Sequence, residues 1–201
     1  MKALLASNHI TPAHVEAFRN MLGGAVDRAL CITAAAVPYG TPAPAWLEES
    51  FAPLRPLATT IDTTLLEPDD WVPDDLSAYG FVFVSGGSVF YLAYRLVETK
   101  FAEKLKTYMR SEGVYAGSSA GSIICMDSIE YFAPADDPAL APAVFPGLGM
   151  VKEAIIPHID NKKYETMMRE IAGRYQQDGL ETTCLNDGQV LLIDGDSKRV
   201  V

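Results

Sequence analysis

Apolar residues follow two rhythms along this chain. In some stretches every position is apolar, and in others apolar residues recur every three or four positions. The clearest run of the first kind is FVFVSGG, Phe81 to Gly87, which opens with four consecutive apolar side chains. A strand covered by helices on both faces reads this way. KALLAS (Lys2 to Ser7), RALCITAAA (Arg28 to Ala36), VYAG (Val114 to Gly117) and EAIIP (Glu153 to Pro157) repeat the pattern, and a weaker strand is expected at Thr59 to Thr63 within a Pro- and Asp-rich middle segment.

Helical patterns fill the intervals. In TPAHVEAFRNMLGG, Thr11 can cap, Pro12 suits the first turn, and Gly23 or Gly24 can end the helix. APAWLEESFAPL (Ala43 to Leu54), SVFYLAYRL, FAEKLKTYMRSEG (stopped at Gly113) and SAGSIICM read as further helices. NKKYETMMREIAGRYQQ sets Tyr164, Met167, Met168, Ile171, Ala172 and Tyr175 on one face, so its methionines belong to the core. TTCLND and QVLLIDGD, joined near Asp187-Gly188, predict two strands and a tight turn. No repeat or linker interrupts the alternation. It predicts an α/β three-layer sandwich on a mostly parallel sheet, with residues 1–201 forming one domain.

Composition narrows the function classes. A chain of 201 residues, 49% hydrophobic, can bury one core. Its net charge of -10, with only 16 Lys and Arg spread along the chain, disfavours a nucleic-acid partner. No apolar run approaches the roughly 20 residues that span a bilayer, and MKALLASNHI is too short for a secretory signal. A cytoplasmic protein without a membrane partner is expected. Cys31, Cys125 and Cys184 are odd in number, far apart and set in apolar segments. They read as small core residues rather than a disulfide framework or a metal site.

The stretch GVYAGSSAGSIIC (Gly113 to Cys125) carries the candidate chemistry. Glycines flank Ser119 in a Gly-x-Ser-x-Gly pattern, with a strand before it and a helix after it, which is the setting of a nucleophile elbow. An ordinary glycine-rich turn is the bland alternative. A serine nucleophile needs a base, because an alcohol is almost fully protonated at neutral pH. Of the three histidines, His14 falls within a helix and reads as a surface or boundary residue, whereas His9 and His158 each follow a strand. His158, in IIPHID after Pro157, is preferred, and His9 stays a candidate. Asp187 in LNDGQ, just past a strand, can orient the base, although an aspartate before glycine is common in plain turns. Asp160 reads as a cap for the helix expected from Asn161.

FVSGGSVFYL, YAGSSAGSIIC, GLGMVKEAIIPHID and LNDGQVLLI, in this order and with Ser7-Asn8 after the first strand, resemble the serine peptidases typified by dipeptidase E, with cyanophycinase more distant. The resemblance runs from Lys2 to about Ile193. It implies a fold similar to class I glutamine amidotransferase domains (flavodoxin-like), with Ser119 as nucleophile, His158 as base and Asp187 as acid, where relatives often carry glutamate. It also implies an oxyanion hole from the backbone N–H groups of Gly87 and Ala120, and neither metal nor cofactor. A glutamine amidotransferase would need cysteine at the elbow, and Cys125 lies six residues beyond. Two departures stand out: Ser88 occupies the position where relatives carry asparagine, which bears on substrate contact, and MDSIEYFAPADDPALAPAVF does not match the family's specificity segment.

The expected substrate is a short peptide with a free N-terminus, with an acidic first residue as one version. Asp127, Glu130, Asp136 and Asp137 could accept its α-ammonium. No Lys or Arg occurs between Arg110 and Lys152, so a cation for an acidic side chain would come from Arg169 or Arg174. A monomer or homodimer is expected. A catalytically idle relative that binds a peptide or metabolite is the competing reading.

Overall fold

The computed structural model describes every residue, Met1–Val201. Strand β1 (Lys2–Ala6) leads through helix α1 (Pro12–Leu22) to β2 (Val26–Ile32). Helix α2 (Ala45–Phe51), β3 (Ala58–Thr64), β4 (Phe81–Val84), α3 (Val89–Glu98), α4 (Phe101–Arg110) and β5 (Val114–Ser118) follow. The chain closes with α5 (Ala120–Ile123), β6 (Ala154–Ile156), α6 (Glu165–Gln177), β7 (Thr182–Cys184), β8 (Val190–Asp194) and β9 (Ser197–Val200).

Seven strands form one sheet in the order β3-β2-β4-β5-β1-β8-β9. The first five are parallel, and β8 and β9 join antiparallel. Because side chains alternate across a strand, each inner strand feeds two cores. Phe81 and Phe83 pack with Leu4, Ala6, Phe18 and Phe51 on the α1 and α2 face. Val82 and Val84 pack with Leu5, Phe90, Leu105 and Ile171 on the face of α3, α4 and α6. This double burial accounts for the uninterrupted apolar runs and makes the molecule three-layered. No helix is long and apolar enough to cross a membrane.

Local signals fared well where the chemistry is local. Thr11 caps α1 through the His14 N–H, Pro12 occupies the first turn, and Gly23 ends the helix at φ 76°. His14 is not at the surface, however: it is buried, and its Nδ1 accepts the Thr11 N–H, completing a reciprocal cap. Cys31 and Cys125 are buried as expected, but Cys184 is exposed, because β7 lies outside the main sheet.

Pairing departs from expectation in three places. The Ala34–Ala36 end of the second predicted strand turns into a 3-10 helix, Ala34–Tyr39. EAIIP does not enter the main sheet, and TTCLND does not form a hairpin with QVLLIDGD; instead β6 and β7 pair with each other, in parallel, as a separate two-stranded sheet. β8 turns back at Gly195, φ 61°, into β9, which the sequence did not signal. The helix after His158 starts at Glu165 rather than Asn161, and the one after Ser119 is a single turn.

Close backbone approach fixes the glycines around Ser119. A Cβ on Gly121 would sit 2.1 Å from the Val84 carbonyl oxygen, and one on Gly117 would sit 2.3 Å from the Gly121 carbonyl oxygen. The Tyr115 hydroxyl also donates to the Gly121 carbonyl, at 2.5 Å. Gly121→Ala is therefore expected to destabilise the protein by about 1–3 kcal/mol, as overpacking does. Urea denaturation measures this, and an unchanged midpoint with an unchanged slope would contradict the contact.

Candidate active site

The C-terminal ends of parallel strands all emerge at one edge, and the residues just past them form the site. Past β5, the chain turns sharply into α5 and holds Ser119 at φ 49°, ψ -109°. This backbone is strained for a side chain with a Cβ. Two hydrogen bonds to the Ala6 carbonyl, from the Ser119 N–H (3.0 Å) and the Ser122 hydroxyl (2.7 Å), anchor the corner to the end of β1. Ser119 is thereby lifted above the sheet with its side chain in a cleft.

β6 and β7 deliver the other two groups. Since the pair is parallel, His158, two residues past Ile156, and Asp187, three past Cys184, leave at the same end. Ser119 Oγ lies 2.9 Å from His158 Nε2, and His158 Nδ1 lies 2.5 Å from Asp187 Oδ1. His158 also has a left-handed backbone, φ 58°, and its N–H donates to Ser7 Oγ at 2.7 Å. Ser7 is fully buried and donates in turn to the Leu185 carbonyl.

Asp187 is held on all sides. Asn161 Nδ2 donates to its Oδ2 at 2.7 Å, its own N–H donates to Asp160 Oδ1, and its carbonyl accepts the His9 N–H. Burial pulls its carboxyl up, but the hydrogen bonds from His158 and Asn161 outweigh that and leave it below the ordinary carboxylate range. An ionised carboxylate can only accept, so the His158 proton resides on Nδ1 and Nε2 faces the serine as an acceptor.

Opposite Ser119, Gly87 has φ 132°, and a Cβ there would fall 2.1 Å from the Ala35 carbonyl oxygen. The N–H groups of Gly87 and Ala120 make no hydrogen bonds within the protein. Ser88 does not face the cleft as expected. It is fully buried, caps α3 through the Tyr91 N–H, and donates to Asp136 Oδ2 at 3.0 Å. The Val89 and Phe90 N–H groups donate to the same oxygen, at 2.6 and 3.3 Å. Asp136 also lines the cleft, and burial pushes this carboxyl up against the pull of those donors.

The cleft, about 420 Å³, is lined by Ser119 and His158 together with Asp136, Lys163, Tyr39 and Trp46. Several sequence candidates lie elsewhere. His9 is exposed, and its Nε2 lies 3.4 Å from Asn8 Nδ2. Arg169 pairs with Glu165, and Arg174 lies over the Tyr131 ring, so neither supplies the cleft's cation. That cation is Lys163, whose Nζ sits 4.7 Å from the Tyr164 ring centroid. It was missed because the helix was expected from Asn161, whereas a turn runs there and leaves Lys163 exposed at the edge of the cleft. Asp127 and Glu130 are exposed and do not line the cleft, nor does Asp137, which caps a short 3-10 turn. Asp160 caps no helix. Asn161, hydrogen-bonded to Asp187, carried no signal beyond its place three residues after His158, and Ser7, hydrogen-bonded to the His158 N–H, entered only through the Ser7-Asn8 pair of the resemblance.

An uncharacterized peptidase of Pasteurella multocida is 26% identical over 131 residues, 64% of this chain and 63% of that one. A peptidase E of Nostoc sp. is 35% identical over 80 residues, 40% of this chain and 32% of that one. The matched segments thus span less than two thirds of these relatives. A crystal structure of a Listeria monocytogenes EGD-e protein assigned as a peptidase E superposes over 100% of this chain and 97% of that one, with a TM-score of 0.81 at 18% identity, and so shares the fold. Peptidase family S51 matches residues 4–201. With the elbow serine, the histidine and the carboxylate lying within that match, the chain belongs to peptidase family S51.

Proposed function

We propose that this chain is a serine peptidase that hydrolyses short peptides bearing a free N-terminus, with Ser119 as nucleophile, His158 as general base and acid, and Asp187 as the orienting carboxylate. The observation that carries this reading is the hydrogen-bonded line from Ser119 Oγ through His158 to Asp187. Ser119 attacks the scissile carbonyl while His158 Nε2 takes its proton. Asp187, ionised and fixed by Asn161, stabilises the imidazolium. The N–H groups of Gly87 and Ala120 hold the oxyanion, which needs backbone donors alone and so does not depend on Ser88. His158 then protonates the leaving amine, and water, deprotonated by the same imidazole, releases the acyl group.

The cleft supports a small substrate. A volume of about 420 Å³ holds a dipeptide-sized ligand, not a folded protein. In this reading Asp136 Oδ1 accepts the substrate's α-ammonium, and Lys163 is the cation available to an acidic first side chain. A buried charge needs such partners, since leaving it unpaired is costly.

Ser119→Ala is expected to lower kcat about 10⁶-fold and to abolish labelling by a fluorophosphonate, with His158→Ala close behind and Asp187→Asn losing about 10⁴-fold. Unchanged turnover in Ser119→Ala would refute the choice of nucleophile, and an unlabelled wild-type serine would favour an idle binding protein. Asp-Leu, Ala-Leu and N-acetyl-Asp-Leu, assayed side by side, test the substrate. Equal rates with the acetylated peptide would rule out free-N-terminus recognition, and a preference for Ala-Leu would rule out the acidic first residue.

The electrostatics can be tested separately. The folded state lowers the Asp187 pKa, so its ionised form stabilises the fold at neutral pH, and that contribution fades as pH falls below the ordinary carboxylate range to the lowered value. Asn161→Ala removes one donor, so the carboxyl should titrate at higher pH. ¹³C NMR of the Asp187 carboxyl measures this, and an unmoved titration would contradict the role given to Asn161.

A further inference from the structure

The turn between His158 and α6 is built around Asn161, which uses every polar group it has there. Its N–H donates to the His158 carbonyl at 3.1 Å, its carbonyl accepts the Tyr164 and Glu165 N–H groups at 2.8 and 2.7 Å, and its Oδ1 accepts the Lys163 N–H at 3.0 Å. Its Nδ2 is the donor that holds Asp187. The chain is thereby folded back on itself, and Tyr164, at the start of α6, returns to His158. The two rings have centroids 5.5 Å apart and lie at 39° to each other. Periodicity assigns Tyr164 to the apolar face of α6 with Met168, Ile171 and Tyr175. Those three are buried, whereas Tyr164 is half-buried at the edge of the larger core and lines the cleft.

Hydrogen bonds at Nε2 and Nδ1 set where His158 points within its own plane. They resist a tilt of the ring out of that plane less well, since a hydrogen bond tolerates bending to about 150° before it weakens. An aromatic ring packed at this distance opposes the tilt. Tyr164 also meets the charge that turnover creates. In the peptidase reading above, on which this step rests, the imidazole becomes a cation when it takes the Ser119 proton, and a cation within about 6 Å of a tyrosine centroid is attracted by the ring. The neutral imidazole draws on that attraction far less, so the gain falls on the transition state rather than on the resting enzyme. Lys163 Nζ lies 4.7 Å from the same centroid, but this residue is exposed and its charge is solvated by water.

We infer that Tyr164 is a positioning residue for the reaction: its ring fixes the tilt of the His158 imidazole and favours the imidazolium that forms as Ser119 attacks. Because the contact is made by the ring, the hydroxyl is dispensable for it.

The test compares wild type with Tyr164→Phe, which keeps the ring, and with Tyr164→Leu and Tyr164→Met, which keep apolar bulk at the edge of the core without it. Two variants lacking the ring are used so that a folding defect in one, checked by circular dichroism, leaves the comparison intact. The first readout is the rate at which diisopropyl fluorophosphate labels Ser119, which draws on His158 but on no peptide contact; the second is kcat and KM on Ala-Leu and Asp-Leu. Loss of the ring should lower the labelling rate and kcat together by about tenfold and leave KM within about twofold, and Tyr164→Phe should restore both to near wild type. If wild type is labelled and the variants without the ring are labelled as fast, the positioning role is refuted while the peptidase reading stands. A rise in KM alone would likewise refute it, by making Tyr164 a substrate contact, and so would a Tyr164→Phe as slow as Tyr164→Leu, by assigning the effect to the hydroxyl. If the wild-type serine is not labelled and neither dipeptide is cleaved, both readings fall together.

Discussion

The end of strand β1 holds the site together. Within four residues, Ala6 to His9, the backbone and one hydroxyl reach every member of the Ser119–His158–Asp187 hydrogen-bonded line: the Ala6 carbonyl receives Ser119 and Ser122, Ser7 Oγ receives the His158 N–H, and the His9 N–H reaches the Asp187 carbonyl. β1 can do this because it lies between β5, which carries the serine, and β8, whose approach carries the aspartate. Were β1 an edge strand, its final amide groups would face solvent on one side and could not serve both.

The small β6-β7 sheet solves a different problem. The main sheet supplies a serine and two unbonded backbone N–H groups from the ends of β4 and β5, but it has no further parallel strand beside β1, since β8 runs the other way. An antiparallel neighbour presents its start, not its end, at this edge. A separate parallel pair restores the missing geometry by bringing two strand ends, and so a histidine and a carboxylate, to one place. Their spacing is then set by the ladder between Ile156 and Cys184. Two residues far apart in sequence become hydrogen-bond partners without a long loop to order.

What could be read from the sequence follows the same division between local and long-range. The elbow was legible because its constraint is local: Gly117 and Gly121 are required by contacts within a few residues and with the adjacent strand end. The strands of the central sheet were legible because burial on both faces leaves an unbroken apolar run. The β6-β7 pairing was not, since three-residue strands carry too little pattern to name a partner, and β9, with all four residues exposed, carries no apolar signal at all. His158 and Asp187 were found by their place after strands and by resemblance, and Ser7, at the end of β1, only within the resemblance, whereas Asn161 and Lys163 owe their positions to a turn whose course depends on that unread pairing. Asp136 appeared among four acidic candidates, and only the packing of its segment against α3 singles it out.

Backbone strain separates these residues from the rest of the chain. Five residues other than glycine have a positive φ: Leu66, Lys100, Glu112, Ser119 and His158. Lys100 and Glu112 lie beside the ends of helices, where a left-handed residue is the ordinary way to turn, and Leu66 offers its carbonyl to the buried Arg95 guanidinium. Ser119 and His158 are different, because their side chains are hydrogen-bonded to each other in the cleft and each backbone is clamped by a hydrogen bond to another part of the chain. A conformation of this kind costs about 1–3 kcal/mol and survives only where the surroundings over-determine it. Here the determinants are the Ala6 carbonyl for one and the Ser7 hydroxyl for the other, both at the end of β1. The strain therefore lies where Oγ and Nε2 must meet at 2.9 Å, and the hydrogen bonds that hold it there come from the strand that positions the site.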